Sequence, residues 1–404
     1  MPSHADESTP RPDRHGSLPF ARWAASALLG ATAAGCTAPA DDHQAIDVAG
    51  IVDDVMHPVI SADATGTEQC VGAVVTVVTR DQSVVLGFGG TEARGATRPD
   101  GDTLFQIGSI SKVFTGLALA RLVTTGALGA NDVGISHLGA DLQPPIAGAT
   151  FTLRDLATHH AGFAYMPANL VDRDGDGARD PDADPLSPAT AYSRTDLARY
   201  LADVPPPSST GYAYSNVGAG LLAIGLQDHL HASGFDGVLR QLVTDVLGMH
   251  DTWGEVGAMT AEATSRVARG YAVANGNRVQ GHLAQMGVLA GAGEIVTTGN
   301  DIARLLTALT GAEPSALDDA VALAVTPSAS GPDAETDLGY AIEIEHLADG
   351  DRFAKGGATP SFTAYLSFRR DPAVGVLVMT NCGSFMSVRE LATEIDDRIT
   401  ALAR

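Results

Sequence analysis

Phe105-Gln106-Ile107-Gly108-Ser109-Ile110-Ser111-Lys112 is the stretch that decides the fold, because strand-like patterning gives way here to helical spacing. Apolar residues then recur three and four positions apart, and Gly126 ends the run. The pattern predicts a helix over 109–125. Residues three apart share a face of a helix, so the amine of Lys112 would lie beside the hydroxyl of Ser109.

The Ser109 and Lys112 pair indicates nucleophilic catalysis. A serine hydroxyl is a poor nucleophile at neutral pH and needs a base within hydrogen-bond reach. The chain has 25 lysine and arginine residues, but its only two lysines are Lys112 and Lys355. Arginine does not release its proton in a protein, whereas a desolvated lysine can act as a neutral base. Lysine at position 112 therefore fits a base that activates Ser109.

A second motif, Tyr214-Ser215-Asn216, lies at a predicted turn before an apolar helix. A phenol held near cationic lysines is expected to have a lowered pKa and to relay protons. The amide of Asn216 can hydrogen-bond to both protein and substrate. An ordinary turn with a helix cap is the alternative interpretation of this motif.

A third motif, Lys355-Gly356-Gly357-Ala358, lies on a predicted strand near the end of the chain. Glycine lacks a Cβ atom, so Gly356 and Gly357 would let a substrate backbone approach the strand closely. Lys355 would offer a fixed positive charge to a substrate carboxylate or to the reacting centre. The motif therefore predicts a substrate-binding strand.

Strand patterns at both ends of the chain flank a mostly helical middle. Predicted strands cover 71–79, 84–90, 338–345, 352–358, 362–368 and 374–380, and predicted helices cover 109–125, 152–159, 195–203, 216–231, 235–247, 300–310 and 387–402. This order predicts an α+β fold with one antiparallel sheet built from the two chain ends. Helices would pack on the sheet, and a helical lobe over about 126–300 would be inserted between its two halves.

The three motifs, in this order, resemble those of the penicillin-recognising serine hydrolases, the family of class C β-lactamases, D-Ala-D-Ala carboxypeptidases, D-aminopeptidases and related esterases. The segments 105–108, 152–163, 247–252 and 357–362 are also similar to stretches common in that family. The likeness runs from about Cys70 to the end of the chain. It implies a β-lactamase/transpeptidase-like fold with an α/β lobe and an all-α lobe.

The resemblance also implies a role for the motif residues. Ser109 would be acylated, and Lys112 and Tyr214 would transfer protons. Asn216 would position the substrate, and Lys355 would supply the electrostatic field of the site. No metal or other cofactor is required for this chemistry.

By the same resemblance, the backbone N–H groups of Ser109 and Ala358 would form an oxyanion hole. Gly356 and Gly357 would line the substrate. The β-lactam-active members usually have Lys-Thr-Gly here, where the threonine hydroxyl helps to hold the substrate carboxylate. Gly356 has no hydroxyl, which argues against an efficient β-lactamase and favours a peptidase or an esterase. Lys355, in place of the histidine common in esterase-like relatives, favours a carboxylate-bearing substrate instead.

These features predict an exported serine hydrolase that cleaves an amide, peptide or ester bond through an acyl-enzyme on Ser109. A D-peptidase or carboxypeptidase and an esterase are the leading interpretations. A β-lactamase proper and a catalytically silent penicillin-binding or sensor protein are the alternatives. The substrate would be a small molecule or a peptide, with cell-wall peptides among the candidates. The sequence does not indicate an oligomeric state.

Residues 1–36 indicate export. Arginines precede the apolar run 23–34, which is too short to span a bilayer and is typical of a secretory signal. Ala33-Ala34-Gly35-Cys36 resembles a bacterial lipobox, which implies lipidation of Cys36 and a membrane anchor facing the periplasm or the cell exterior. Cleavage nearby, followed by secretion, is the alternative. The polar residues 37–65 predict a flexible tether, and 66–404 would form the hydrolase domain.

Acidic residues exceed basic ones, and the formal net charge of −23 argues against nucleic acid or a lipid surface as a partner, apart from the lipid anchor. Within this excess, alternating aspartates resemble a calcium-binding loop: Asp172, Asp174, Asp176 and Asp180. The twelfth position of the loop is Ala183, where glutamate is usual. A structural calcium ion and a solvated acidic loop both remain open interpretations.

If Cys36 is lipidated, the remaining cysteines are Cys70 and Cys382. An even pair in an exported protein permits one disulfide, and two small buried thiols that never meet are the alternative. The resemblance favours the disulfide, because the family fold places its first strand antiparallel to its last.

Overall fold

A computed structural model describes residues 45–64, 69–205, 207–208, 211–385 and 387–404. Its main element is an eight-stranded sheet in which every neighbouring pair of strands is antiparallel. Strands from both ends of the chain form it, and helices cover both faces. The predicted α+β fold is therefore confirmed. The predicted secretory signal and Cys36 lie outside the described residues.

The strands of the described residues are, in chain order, β1 (Gly72–Thr79), β2 (Ser83–Gly89), β3 (Leu104–Gln106), β4 (Tyr271–Ala274), β5 (Asn277–Gln280), β6 (Val296–Thr298), β7 (Ala329–Ser330), β8 (Thr336–Leu338), β9 (Glu343–Leu347), β10 (Gly350–Ala358), β11 (Thr363–Arg370) and β12 (Ala373–Thr380). The main sheet has the order β2-β1-β12-β11-β10-β9-β8-β7. β3 pairs with β6, and β4 pairs with β5, in two separate ladders. The two chain ends meet where β1 pairs with β12.

The helices are, in chain order, α1 (Val48–Met56), α2 (Ser111–Thr124), α3 (Leu153–Ala157), α4 (Arg194–Asp203), α5 (Asn216–Leu230), α6 (Phe235–Leu239), α7 (Asp245–Leu247), α8 (Ala261–Ser265), α9 (Gly299–Thr310), α10 (Asp318–Ala324) and α11 (Val388–Leu402). A π-helical turn, Arg240–Thr244, joins α6 to α7. The predicted helices are all present, with ends within two residues of those predicted. In the part of the chain that the structure describes, no helix combines the length and the apolar character needed to cross a membrane.

The centre of the sheet lies between two hydrophobic layers. β1 and β12 are buried along their whole length, because α9 packs on one face and α1 and α11 lie over the other. Strands covered on both faces have nearly continuous apolar runs, as in the valine-rich sequence of β1. The sheet is therefore a rigid base for the segments that leave its ends.

Cys70 and Cys382 form a disulfide, with their Cα atoms 5.8 Å apart. Cys70 precedes β1 and Cys382 follows β12, and antiparallel pairing places the start of one strand beside the end of the other. The bond joins positions 312 residues apart in the sequence. The predicted disulfide is confirmed.

The prediction of a flexible tether over 37–65 is wrong for part of that segment. Residues Val48–Met56 form α1, and the Asp47 side chain caps it by accepting a backbone N–H of the first turn. Val52 is fully buried, and the apolar side of α1 packs against α11. The apolar positions recur at helical spacing within an otherwise polar segment. The compact domain therefore begins at Ile46, earlier than predicted.

The predicted strand over 338–345 is interrupted between β8 and β9. There the backbone bonds to helices instead of to a neighbouring strand: the N–H groups of Tyr340 and Ala341 donate to carbonyls at the ends of α10 and α3. The ladders β3–β6 and β4–β5 also add strands in or beside the lobe that was predicted to be helical. Both departures depend on contacts between distant segments.

Buried charges fix α11 to the sheet. The side chain of Asp396 has no exposed surface, and it accepts from Arg352 Nε at 3.1 Å and from Arg369 Nε at 3.0 Å. The hydroxyls of Ser367 and Thr400 donate to the same carboxylate. A buried charge is tolerated only when it is paired and hydrogen-bonded. The network therefore orients the helix as well as holding it.

Replacing Asp396 with alanine is expected to lower the free energy of unfolding by about 3–5 kcal/mol, because Arg352 and Arg369 lose their buried counter-ion. Glu394→Ala, which removes a half-exposed carboxylate from the same helix, is expected to cost about 0–1 kcal/mol. Urea unfolding followed by circular dichroism measures both. Equal losses in the two variants would contradict the role given to Asp396.

Candidate active site

Ser109 lies in a tight helical turn between β3 and α2. Gly108 before it has a φ of +53°, and a Cβ atom there would lie 2.5 Å from the backbone nitrogen of Ala358. A Cβ atom on Gly357 would lie 1.9 Å from the carbonyl oxygen of Ile107. Glycine is therefore required on both sides of the contact between this turn and the end of β10. The use of the Ser109 and Ala358 N–H groups as an oxyanion hole stays a prediction.

The Lys112 side chain is buried at the start of α2, and its Nζ atom lies 3.0 Å from Ser109 Oγ. Nζ also donates to Asn216 Oδ1 at 2.7 Å and to the Ala292 carbonyl oxygen at 2.5 Å. Burial, and secondarily the charge of Lys355, hold the pKa of Lys112 well below its usual value. A neutral amine has two hydrogens for Asn216 and Ala292, which leaves its lone pair for the Ser109 proton.

Tyr214 also contacts the nucleophile, and its hydroxyl donates to Ser109 Oγ at 2.7 Å. The centre of its ring lies 4.9 Å from Lys112 Nζ and 5.0 Å from Lys355 Nζ. Burial raises the pKa of Tyr214, while Lys355 and the hydrogen bond with Ser109 lower it, and the net shift is upward. The predicted lowering of this pKa is therefore wrong, because desolvation outweighs the lysine charge. Tyr214 is therefore a neutral phenol that donates a hydrogen bond to Ser109.

Asn216 begins α5, and the side chain of Ser215 caps this helix by accepting the Gly218 N–H at 2.8 Å. With Oδ1 held by Lys112, Nδ2 of Asn216 donates to Met166 Sδ at 3.4 Å. Sulfur is a weak acceptor, so a substrate carbonyl can replace it. This role in substrate binding stays a prediction.

Lys355 is buried on β10 and forms an ion pair with Glu343, with 2.9 Å between Nζ and Oε1. Burial lowers the pKa of Lys355, but Glu343 and nearby tyrosines raise it, and the net shift is upward. Lys355 is therefore held as a cation. Glu343 is not among the predicted site residues. Pairing the predicted strands 338–345 and 352–358 as a hairpin would have placed Glu343 near Lys355, since the observed register pairs Glu343 with Ala354.

The end of β10 has one free edge. β10 pairs with β11 from Phe353 to Ala358, but with β9 only as far as Ala354, so its last residues have no partner on that side among the described strands. A substrate backbone can pair with such an edge. A Cβ atom on Gly356 would lie 3.6 Å from the Tyr365 ring, which is ordinary contact. Contact between Gly356 and a substrate stays a prediction. Gly357 is explained without a substrate, because the turn that contains Ser109 leaves no room for a Cβ atom there.

His159 is a further neighbour of the site that was not predicted. Its ring centre lies 4.4 Å from that of Tyr214, and its backbone φ is +62°. Its Nδ1 atom accepts the Ser215 N–H, which places the ring proton on Nε2. Burial, followed by the charges of Lys355 and Lys112, lowers the pKa of His159 well below its usual value. His159 therefore packs against Tyr214 as a neutral ring.

The predicted calcium ligands are only partly brought together. Ligand atoms of Asp172, Asp174 and Asp176 lie within 4.8 Å of one another in a largely exposed loop. Asp180 does not join them, because its carboxylate accepts the Arg173 N–H at 2.9 Å and pairs with the guanidinium of that residue. Three carboxylates remain of the predicted four. Calcium binding at this loop stays a prediction.

The site thus places the hydroxyl of Ser109 beside a buried lysine and a tyrosine, an arrangement suited to acyl transfer. The sequence matches the Beta-lactamase family over residues 48–399. It is 25% identical to a β-lactamase of Providencia stuartii over 209 residues, 50% of this chain and 46% of that protein. It is 28% identical to the D-alanyl-D-alanine-carboxypeptidase/endopeptidase AmpH of Escherichia coli (strain K12) over 188 residues, 45% of this chain and 44% of AmpH. The chain thus spans less than half the length of these curated relatives.

Solved structures show the same fold. A class C β-lactamase from Rhodobacter sphaeroides matches with a TM-score of 0.68 at 21% identity, covering 87% of this chain and 99% of that one. A β-lactamase from Sulfitobacter sp. EE-36 matches with a TM-score of 0.68 at 22% identity, covering 88% of this chain and 98% of that one. The chain belongs to the β-lactamase family. It has the serine hydrolase fold of that family, and the resemblance drawn from its motifs is confirmed.

Gly357→Ala is expected to lower the rate of acylation about 10²–10³-fold, because moving the end of β10 displaces one oxyanion donor. Gly356→Ala is expected to have a much smaller effect, because the added Cβ meets only ordinary contacts. Burst-phase kinetics with a nitrophenyl ester, together with thermal unfolding of each variant, measure the difference. Equal rates in the two variants would argue against the contact as the support of the oxyanion hole.

The acylation rate is expected to rise with pH as Lys112 loses its proton, with a midpoint below the usual lysine range, because the folded protein lowers this pKa. Lys112→Arg keeps a positive charge but cannot act as a base, so its rate is expected to fall about 10²–10⁴-fold. A pH–rate profile with a neutral ester checks both statements. An arginine variant with wild-type rates would rule out the lysine base.

Proposed function

We propose that the protein is a serine hydrolase that cleaves an amide, peptide or ester bond through an acyl-enzyme on Ser109. One observation carries the proposal: Ser109 Oγ lies 3.0 Å from Lys112 Nζ and 2.7 Å from the Tyr214 hydroxyl. Lys112 can take the serine proton, and Tyr214 can protonate the leaving group. Burying a lysine with no carboxylate partner costs free energy, and a binding protein without turnover gains nothing from that cost.

Acylation begins when Ser109 Oγ attacks the substrate carbonyl carbon and its proton passes to Lys112 Nζ. The carbonyl π bond breaks as the C–O bond forms, and the N–H groups of Ser109 and Ala358 donate to the oxyanion. Collapse of this intermediate breaks the bond to the leaving nitrogen or oxygen, which takes the proton of Tyr214. The proton on Lys112 then restores Tyr214, since both groups contact the same serine oxygen.

Deacylation repeats the sequence with water in place of the serine. Water attacks the acyl carbon and gives a proton to the neutral base, and the bond between that carbon and Ser109 Oγ breaks. Oγ regains its proton, and the product is a carboxylic acid. Asn216 orients the acyl group through Nδ2, and Lys355 holds the electrostatic field around Tyr214 without being consumed.

The preferred substrate has no free carboxylate beside the scissile bond. The sequence alone favours a carboxylate on the substrate because of Lys355, but this cation at the free edge of β10 is already paired with Glu343, and Gly356 supplies no hydroxyl. The net charge of −23 also repels anionic substrates. A D-peptide cut at an internal bond, or an ester, fits these features better than a β-lactam. The name of the relative AmpH includes an endopeptidase.

The protein acts outside the cytoplasm. The disulfide between Cys70 and Cys382 supports this location, because such bonds persist in oxidising compartments. The apolar run 23–34 supports it independently as a secretory signal. Lipidation of Cys36 would hold the domain at a membrane surface, where cell-wall peptides are available as substrates.

The protein is expected to hydrolyse short-chain nitrophenyl esters and internal D-peptide bonds. A peptide with a C-terminal amide is expected to be cleaved faster than the same peptide with a free carboxylate. A chromogenic cephalosporin is expected to be hydrolysed more slowly than any of these substrates. Ser109→Ala is expected to reduce every rate to background, whereas Ser265→Ala, an exposed serine of α8, keeps them. Rates are compared at one pH and one substrate concentration.

Two results would contradict the proposal. Activity that survives in Ser109→Ala would remove the acyl-enzyme mechanism. A folded protein that neither turns over these substrates nor reacts with a fluorophosphonate at Ser109 would support a silent binding or sensor protein instead. A free acid cleaved faster than its amide would leave the mechanism intact and reverse the proposed substrate preference.

A further inference from the structure

Two lysines lie close to the ring of Tyr214, and their partners differ in charge. Lys112 Nζ lies 4.9 Å and Lys355 Nζ 5.0 Å from the ring centre, and both side chains are buried. Lys355 has the carboxylate of Glu343 at 2.9 Å. The hydrogen-bond partners of Lys112 are oxygen atoms of neutral groups, in Ser109, Asn216 and Ala292.

We propose that Glu343 is a positioning residue that separates the charges of the two lysines: its carboxylate keeps Lys355 protonated, and the Lys355 cation keeps Lys112 neutral and ready to take the Ser109 proton. The inference rests on the proposed acyl-transfer function and adds a residue outside the three sequence motifs. Glu343 acts through Lys355 and not on the nucleophile itself.

The physical basis is the repulsion of like charges in a buried site. Two ammonium groups that each lie about 5 Å from the centre of the same ring repel each other, and one carboxylate neutralises only one of them. The lysine beside the carboxylate keeps its proton, and the other loses it. The directions of the two shifts agree: the pKa of Lys355 is raised above its usual value, whereas burial and then Lys355 itself lower the pKa of Lys112.

The other groups around the two lysines do not supply a second carboxylate among the described residues. Burial raises the pKa of Tyr212, Tyr214 and Tyr365, so these phenols are neutral. His159 is neutral because burial and the lysine charges lower its pKa. The titratable groups around Lys112 and Lys355 are therefore Glu343 of β9, His159 after α3, Tyr212 and Tyr214 before α5, and Tyr365 of β11.

Glu343→Gln removes the charge but keeps the length of the side chain. Lys355 then has no counter-ion in a buried position, so its titration midpoint is expected to fall by about 1–3 pH units. As Lys355 loses its charge, the midpoint of Lys112 is expected to rise. Glu335→Gln makes the same change in net charge at an exposed position just before β8, and it is expected to move neither midpoint.

Lysine labelled with ¹³C at Cε reports both midpoints by NMR, because the chain has only two lysines. Lys112→Met and Lys355→Met assign the signals. In the wild type, the Lys112 signal is expected to titrate far below the Lys355 signal. In Glu343→Gln the two midpoints are expected to converge, and Glu343→Asp is expected to keep most of their separation. Midpoints that stay in place in Glu343→Gln would overturn the inference.

This readout needs no turnover, so failure of the inference is distinguishable from failure of the proposed function, which Ser109→Ala and the substrate panel test. Ester hydrolysis adds a second measurement. The acidic limb of the pH–rate profile is expected to shift to higher pH in Glu343→Gln, with the rate recovering at alkaline pH. A rate lowered equally at every pH would indicate a purely structural role and would overturn the inference.

A double-mutant comparison tests whether Glu343 acts through Lys355. In a Lys355→Met background, Glu343→Gln is expected to move the Lys112 midpoint no further, because the partner of the carboxylate is already gone. A further shift in that background would overturn the inference. If Glu343→Gln does not fold, Glu343→Asp is used instead and is expected to bring the two lysine midpoints slightly closer together. Midpoints that do not move in Glu343→Asp would then overturn the inference.

Discussion

The backbone of the turn at Gly108 touches the backbone at the end of β10, and the active site is built around that contact. A side chain on Gly108 or on Gly357 would hold the two segments apart. The turn leads into α2, which carries Lys112, and β10 carries Lys355. The contact therefore sets the distance between the nucleophile and the strand that is expected to hold the substrate. The pairing of β1 with β12 supports it by closing the sheet from both chain ends.

Burial of the site has opposite effects on the pKa values of two groups and keeps both groups neutral. It lowers the pKa of Lys112 and raises the pKa of Tyr214. In the proposed mechanism, Ser109 thus lies between a neutral base and a neutral acid, and charge develops only as the serine proton moves. Among the described contacts, the ion pair close to this phenol is that of Lys355 with Glu343.

Local pattern was sufficient for the parts of the site that depend on one element. The closeness of Ser109, in the turn before α2, to Lys112 at the start of α2 follows from residues close in sequence, as does the helix that begins at Asn216. The register that brings Glu343 to Lys355, and the break between β8 and β9, depend on segments that meet only in the folded chain. The direction of the Tyr214 pKa shift was wrong for the same reason, because burial is a property of the whole fold. The helix over Val48–Met56 was hidden by the polar composition around it.

The bond between Cys70 and Cys382 turns the domain into a covalent ring, with the whole inserted lobe inside it. A protease that cuts one exposed loop of that lobe opens the ring but does not divide the molecule. The exposed aspartates Asp174 and Asp176 lie in such a loop. New chain ends at loops of this kind are commonly tolerated. After a single cut in such a loop, Ser109 and β10 therefore remain parts of one molecule.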